Sequence, residues 1–228
     1  MMINWMPLLQ LSDSQFPSGA FSHSFGFETY IQQDVITDAE SFKEALTAFL
    51  DRQLAYNDGL AFWLAYQEVK NDGVDLILEL DHLLYASTPA RETREGNQRV
   101  GKRLAKLCLD LYPSHPLEQY HKWLMEKEGY GHPALVFAVV YGAMEVSGSA
   151  ALETFLFTSL SSMVQNAVRG IPIGQTDGQK ILVALQPHIQ KTVRRIKEAS
   201  IEDLGAGSPG LEIAQMMHER LHVRLFMS

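Results

Sequence analysis

Apolar residues recur at three- and four-residue steps along most of the chain. The clearest series is Leu152, Phe155, Leu156, Leu160, Met163, Val164, Ala167 and Val168, one face of a packed helix. Arg169-Gly170 supplies the cation and glycine expected at a helix C-terminus, and Pro172 cannot continue the helix. A second series, Ile181, Leu182, Leu185, Ile189, Val193 and Ile196, marks the next helix. The two meet in a polar, glycine-rich elbow over residues 170–179. Upstream, Phe25, Phe27 and Ile31 predict a helix over 22–33. Thr37-Asp-Ala-Glu40 reads as a capping box ahead of Phe42, Ala45, Leu46, Phe49, Leu50 and Leu54. Asn57-Asp58 predicts the cap of a separate third helix with Leu60, Trp63 and Leu64, ended by Asn71-Asp72-Gly73. Leu76, Ile77, Leu80, Leu83 and Leu84 mark a fourth.

Thr88-Pro89 is read as the opening of a fifth helix, with Val100, Leu104, Leu107, Cys108 and Leu111 on one side. Its other side carries Arg99, Lys102, Arg103 and Lys106. A shorter helix covers 117–128, and 134–146 is apolar almost all round, as for a helix buried on every side. No segment alternates apolar and polar residues. The expected fold is therefore all-α, a single-domain bundle of about ten helices. Residues 1–21 form an extended or single-turn arm and 22–202 the helical core. A flexible joint at 203–210, rich in glycine, leads to a tail at 211–228. The tail's Ile213, Met216, Met217, Leu221, Leu225 and Phe226 make a short amphipathic stretch. A lone helix of that length is marginal in water, so it must dock on its own domain or on a partner.

The chain has 228 residues and a net charge of −8, which argues against general affinity for nucleic acid or anionic membrane. The single cysteine, Cys108, excludes an internal disulfide framework and a Cys-based zinc site. No basic n-region opens the chain, and its longest apolar run, 133–144, falls short of a bilayer span. A cytoplasmic protein is expected.

His218-Glu219-Arg220-Leu221-His222 fits H-E-x-x-H, which on a helix sets two histidines for zinc with glutamate as base. That motif is the basis of an alternative reading as a metal-dependent hydrolase. Such sites take a third ligand, usually downstream, where only six residues remain, and the pattern lies beyond a joint. Coincidence is the expected explanation, leaving His218 and His222 as weak metal candidates. The elbow's Gly174-Gln-Thr-Asp-Gly-Gln-Lys180 has the wrong spacing for a phosphate-binding loop, and no hydroxyl residue follows the lysine. Its glycines are expected to let helices pack closely, with Gln175 and Gln179 one turn apart and facing outward. Ser22-His23-Ser24 and Asp13 offer triad residue types without a nucleophile elbow. The basic stripe of the fifth helix is expected to be a solvated, ion-paired face, Glu95 and Arg99 standing four apart. Glu28, among Phe25, Phe27 and Tyr30, is a carboxylate that is paired, exposed at an interface, or costly.

Four stretches carry a resemblance to the UreF family of urease accessory proteins. They are the segment from Leu8 through Gln-Phe-Pro-Ser-Gly-Ala-Phe-Ser-His-Ser-Phe-Gly-Phe to Glu28, Arg91-Glu-Thr-Arg-Glu95, Arg169-Gly-Ile-Pro-Ile-Gly-Gln-Thr-Asp-Gly-Gln179, and the run from Met217 to Ser228. Ser18 and His222 depart from the residues common there, and the second departure creates the H-E-x-x-H pattern. The resemblance implies an all-α, non-enzymatic scaffold that dimerises, binds UreD (also called UreH) and recruits the GTPase UreG. Together these would deliver nickel to the apo-urease subunits, with no cofactor held tightly by the scaffold. On that reading Ile213, Met217, Leu221, Arg224, Leu225 and Phe226 meet the UreD-like partner. Glu28, Arg169, Gln175 and Gln179 face the GTPase.

Overall fold

In the computed structural model, which describes residues 5–17, 24–144, 146–222 and 224–226, every regular element is helical. The architecture is organised on α8 (Pro133–Ala143), which has no charged residue and is buried from Ala134 through Gly142. Pro133 fits its first turn, where an N–H has no intrahelical partner. The His132 ring caps that turn, its Nδ1 accepting from the Ala134 N–H at 3.3 Å. Around α8 lie α4 (Leu60–Lys70), α6 (Arg91–Leu111) and α9 (Gly148–Gly170). A Cβ on Gly142 would sit 2.9 Å from Val69 Cβ, so glycine sets the approach of α8 to α4. Phe62 of α4 stacks on Phe155 of α9 at 4.8 Å between ring centres. The long helix α10 (Gln175–Glu198) returns along α9, and four residues, 171–174, separate the two. Gly178 lies inside α10, where a Cβ would stand 2.9 Å from Val164 Cγ1, the close helix contact expected of the elbow's glycines.

Several local expectations are corrected. The N-terminal arm is a two-turn helix, α1 (Trp5–Ser12), burying Leu8 and Leu11 while Trp5, Met6 and Leu9 stay exposed. Helix α2 (Phe27–Gln32) begins later than expected because Phe25 and Gly26 adopt φ of 50° and 89°. Of the first-helix expectation, residues 22 and 23 lie outside the described residues. The capping box of α3 (Ala39–Phe49) is one residue on from Thr37: Asp38 accepts from Ser41 N–H at 2.9 Å, and Ser41 Oγ accepts from Asp38 N–H at 3.1 Å. Thr88 does not cap α6, since its hydroxyl donates back to Leu84 O at 2.7 Å, ending α5 (Asp75–Ala86). Asn57-Asp58 does not start a helix. The backbone runs unbroken from α3 through a π-helical segment, Leu50–Gly59, into α4. Gly59 lies against α10, where a Cβ would be 2.8 Å from Ile196 Cδ1.

The expected joint is partly structured. Ile201–Asp203 is a single 3₁₀ turn, and Gly205 N–H donates to Tyr56 O at 3.0 Å. Pro209 and Gly210 already belong to α11 (Pro209–His218). No described helix is long and apolar enough to cross a membrane.

One buried carboxylate holds the loop entering α8. Asp81 of α5 accepts from the Tyr120 hydroxyl on α7 (His115–Glu126) at 2.9 Å and from the N–H groups of Tyr130 and Gly131 at 2.5 and 3.1 Å. Tyr120 oxygen in turn accepts from His132 N–H at 3.0 Å. Burial raises the Asp81 carboxyl above its usual range, and these hydrogen bonds pull the other way. Asp81→Ala leaves the part-buried Tyr130 N–H, the buried Gly131 N–H and the buried Tyr120 hydroxyl without their acceptor. We expect it to lower the unfolding free energy by about 3 kcal/mol in urea titration. A loss near zero would mean the loop is held by packing alone.

Candidate functional site

The tail docks on its own chain. Gly26 makes this possible: a Cβ there would fall 2.8 Å from Gln215 Cγ and 3.1 Å from Gln215 N. Only glycine combines that approach with a φ of 89°. Thr29 Oγ1 donates to Ala214 O at 2.8 Å, and Gln215 Nε2 donates to Phe25 O at 3.2 Å. Leu211 and Ala214 are buried on this inner face of α11. At the helix end His218 is fully buried, between Glu28 of α2 and Glu92 of α6. Its Nε2 lies 2.9 Å from Glu28 Oε2 and its Nδ1 2.8 Å from Glu92 Oε2. Ionised carboxylates only accept, so both contacts are hydrogen bonds when the trio carries one proton beyond a neutral imidazole and two carboxylates.

The residues that follow close over the same carboxylates. Glu28, 2 % exposed, accepts from Leu225 N–H at 2.5 Å and Phe226 N–H at 3.2 Å. Arg224 donates to Glu92 Oε1 at 2.8 Å and to the carbonyl oxygens of Glu219 and Leu221 at 2.5 and 3.3 Å. Burial alone would raise Glu92, but hydrogen bonds from His218 and Arg224 hold its carboxyl below the usual range. Arg91 pairs with Glu219 through Nη2 at 2.8 Å. Phe226 is buried, with the Arg169 guanidinium 5.8 Å from its ring centre, so tail and elbow meet there.

The structure thus brings Glu28, Arg169, Arg224 and Phe226 into one assembly, where sequence reasoning assigned them to two partner surfaces. Glu28 does not face outward, because its oxygens are occupied by His218 and by tail N–H groups. The Arg224 guanidinium is bonded to Glu92 and to backbone within its own segment. Phe226 faces inward. Ile213, Met217 and Leu225 are exposed, and Leu221 is half-buried. Gln175 and Gln179 are exposed on the first turn of α10.

The weak metal candidates separate. Helix α11 stops at His218, so exposed His222 does not sit one helical turn along the same face. Both His218 nitrogens are engaged by carboxylates, and Glu219 is turned to Arg91. No cluster of three His, Cys, Asp or Glu side chains suited to a metal occurs among the described residues. For the triad residue types, Ser22 and His23 lie outside the described residues, and Asp13 accepts from Gln15 N–H. Sequence reasoning missed Glu92 as the second partner of His218; its only signal was its place inside Arg91-Glu-Thr-Arg-Glu95.

Fold and site together define an all-α protein whose buried ionisable cluster binds its own C-terminal segment and leaves apolar side chains of that segment outside. Comparison with known proteins places the chain more closely. The sequence profile of the UreF family matches residues 36–186. The chain is 57 % identical over 223 residues to the urease accessory protein UreF of Bacillus sp. (strain TB-90), covering 98 % of each chain. It is 50 % identical over 221 residues to that of Geobacillus kaustophilus (strain HTA426), covering 97 % of this chain and 96 % of the relative. The corresponding protein of Lachnoclostridium phytofermentans (strain ATCC 700394 / DSM 18823 / ISDg) is 45 % identical over 221 residues, covering 97 % of both chains. The chain belongs to the UreF family: it is a urease accessory protein, not an enzyme, and works with other components of urease maturation.

His218→Ala leaves Glu28 and Glu92 without the ring that bridges them. Losing one member of a buried ionic cluster costs about 3–5 kcal/mol, which here falls on tail docking. Hydrogen exchange read residue by residue should show protection lost over 209–226 and kept in α8. Full protection of α11 in the variant would contradict the clamp.

Proposed function

We propose that this protein is a cytoplasmic urease-maturation chaperone, a homodimeric scaffold that binds a UreD/UreH-like partner and the GTPase UreG. In that assembly nickel is cargo, delivered to the apo-urease subunits, and the scaffold modulates the GTPase step. The observation that carries this reading is the two-sided tail. Its inner face is bound to α2 and α6, while Ile213, Met216, Met217 and Leu225 remain exposed, Ile213 by 53 % and Leu225 by 61 %. Exposed apolar groups in one short segment are the mark of a protein-binding surface. Methionine suits it, being unbranched and adaptable. The UreD-like partner docks on this outer face, with Leu221 at its edge.

The elbow is the surface offered to the GTPase. It presents Arg169, Gln175 and Gln179 outward, on helix ends that Gly178 and the short 171–174 connection hold in place. Arg169 also lies over Phe226, so occupancy of the tail and the geometry of the elbow are linked through one ring.

Two substitution sets separate the surfaces. Ile213→Asp with Met217→Asp changes two exposed side chains of α11, and should reduce co-purification of the UreD-like protein at least tenfold while helical circular dichroism is unchanged. Capture at the level of the unsubstituted protein would remove α11 from the interface. Gln175→Ala with Gln179→Ala should lower nickel loading and activity of co-expressed urease, read by metal analysis and urea hydrolysis, with UreD binding retained. Full activation would remove the elbow from the GTPase surface.

A further inference from the structure

A cavity of about 420 Å³, apart from the His218 cluster and the elbow, lies between the 11–17 segment, the π-helical segment, α6, α8 and α9. That is the scale of a small-molecule site. The wider π-helical turn sets Gln53, Asn57 and Asp58 on its wall together, and such turns are rare, and frequent at functional sites where they do occur. Facing them is His132, held by the loop that Asp81 organises. Ala134 N–H can only donate, so His132 Nδ1 is the acceptor and its hydrogen is on Nε2. That N–H is 3.3 Å from Asp58 Oδ1, which accepts it, and the Asn97 amide 3.0 Å away pairs with it when the amide oxygen is turned to the ring. Burial lowers the imidazole to about 3, keeping it neutral, and pushes the Asp58 carboxyl up to about 7. Asn57 Oδ1, Thr93 Oγ1 and Thr158 Oγ1 also belong to lining residues, are buried, and have no hydrogen-bond partner among the described residues.

The wall is chemically one-sided. Among the described residues it includes no lysine or arginine, and its carboxyl and imidazole groups are those of Asp13, Asp58 and His132. An anion would find no counter-charge there. The aspartate and histidine that meet at the polar wall are two side chains, too few to hold a bare metal ion by themselves. Elsewhere the wall is apolar, with Phe137, Phe155 and Met163.

We propose that this cavity binds a small organic cation, its amidinium-type head on Asp58 and its apolar body among Phe137, Phe155 and Met163. The proposal is independent of the partner surfaces described above.

The test is a titration of the full-length protein at pH 8 with benzamidine, benzamide and benzoate, which share a shape and differ in charge, followed by calorimetry and amide chemical shifts. The expected result is saturable binding of benzamidine, about tenfold or more tighter than benzamide, and none of benzoate. Below about pH 7 the affinity for benzamidine should fall, approaching tenfold per unit, because Asp58 must first lose its proton. Asp58→Asn should abolish both the preference and the pH dependence. Equal affinity for the three compounds, or no binding of benzamidine, overturns the proposal. So does unchanged affinity in a folded Asp58→Asn protein. If that variant does not fold, the charge series on the unsubstituted protein decides alone.

Discussion

The interaction on which the rest depends is the burial of His218 between two carboxylates from different helices. Removing three ionisable groups from water is costly, and the arrangement is tolerable only because every participant is bonded. His218 uses both nitrogens, Glu28 accepts from the ring and two backbone N–H groups, and Glu92 accepts from the ring and Arg224. Separating any one element leaves a charge or a polar group unmatched. Helix α2, the first turns of α6 and the segment after α11 are therefore positioned as one unit. The seat of Phe226 beside Arg169 follows from it, because the two N–H groups that bind Glu28 belong to Leu225 and Phe226.

A second buried carboxylate plays the corresponding part in the loop that enters α8. Asp81 gathers a tyrosine hydroxyl and two successive backbone N–H groups, and the loop so held delivers His132 both to the N-terminus of α8 and to the cavity. Gly101 allows this, since a Cβ there would lie 2.6 Å from Gly131 C. The same loop thus caps α8 and places a histidine that burial keeps neutral.

These constraints divide the tail into two faces with different work. Leu211, Ala214, Gln215 and His218 bind inward, and Ile213, Met216 and Met217 are left outward. A helix this short would not persist alone, yet docking on α2 orders it before any partner arrives. A partner meeting a preformed face does not have to order it. That is an economical design for an accessory protein whose business is assembly.

What could be read without the structure was whatever depends on neighbours in sequence. Helical stripes, the buried α8, the end of α9 at Gly170 and the amphipathic tail were all legible, because helix periodicity is a local property. Glu28 stood out as a carboxylate needing a partner, but its partners, His218 and the N–H groups of Leu225 and Phe226, lie 190 to 198 residues away, and no local pattern points to them. The H-E-x-x-H spacing misled for the same reason: it assumes a helix continuing through His222, and the helix stops where His218 turns inward to the carboxylates. The unbroken passage from α3 to α4 through Asn57 and Asp58 was likewise decided by packing, since those residues ordinarily cap helices and here the fit of Gly59 against α10 keeps the chain helical. Sequence by itself determined the helices and their apolar faces, through intrinsic periodicity; only the tertiary structure decided which charges are buried together, because desolvation and pairing are properties of neighbours in space.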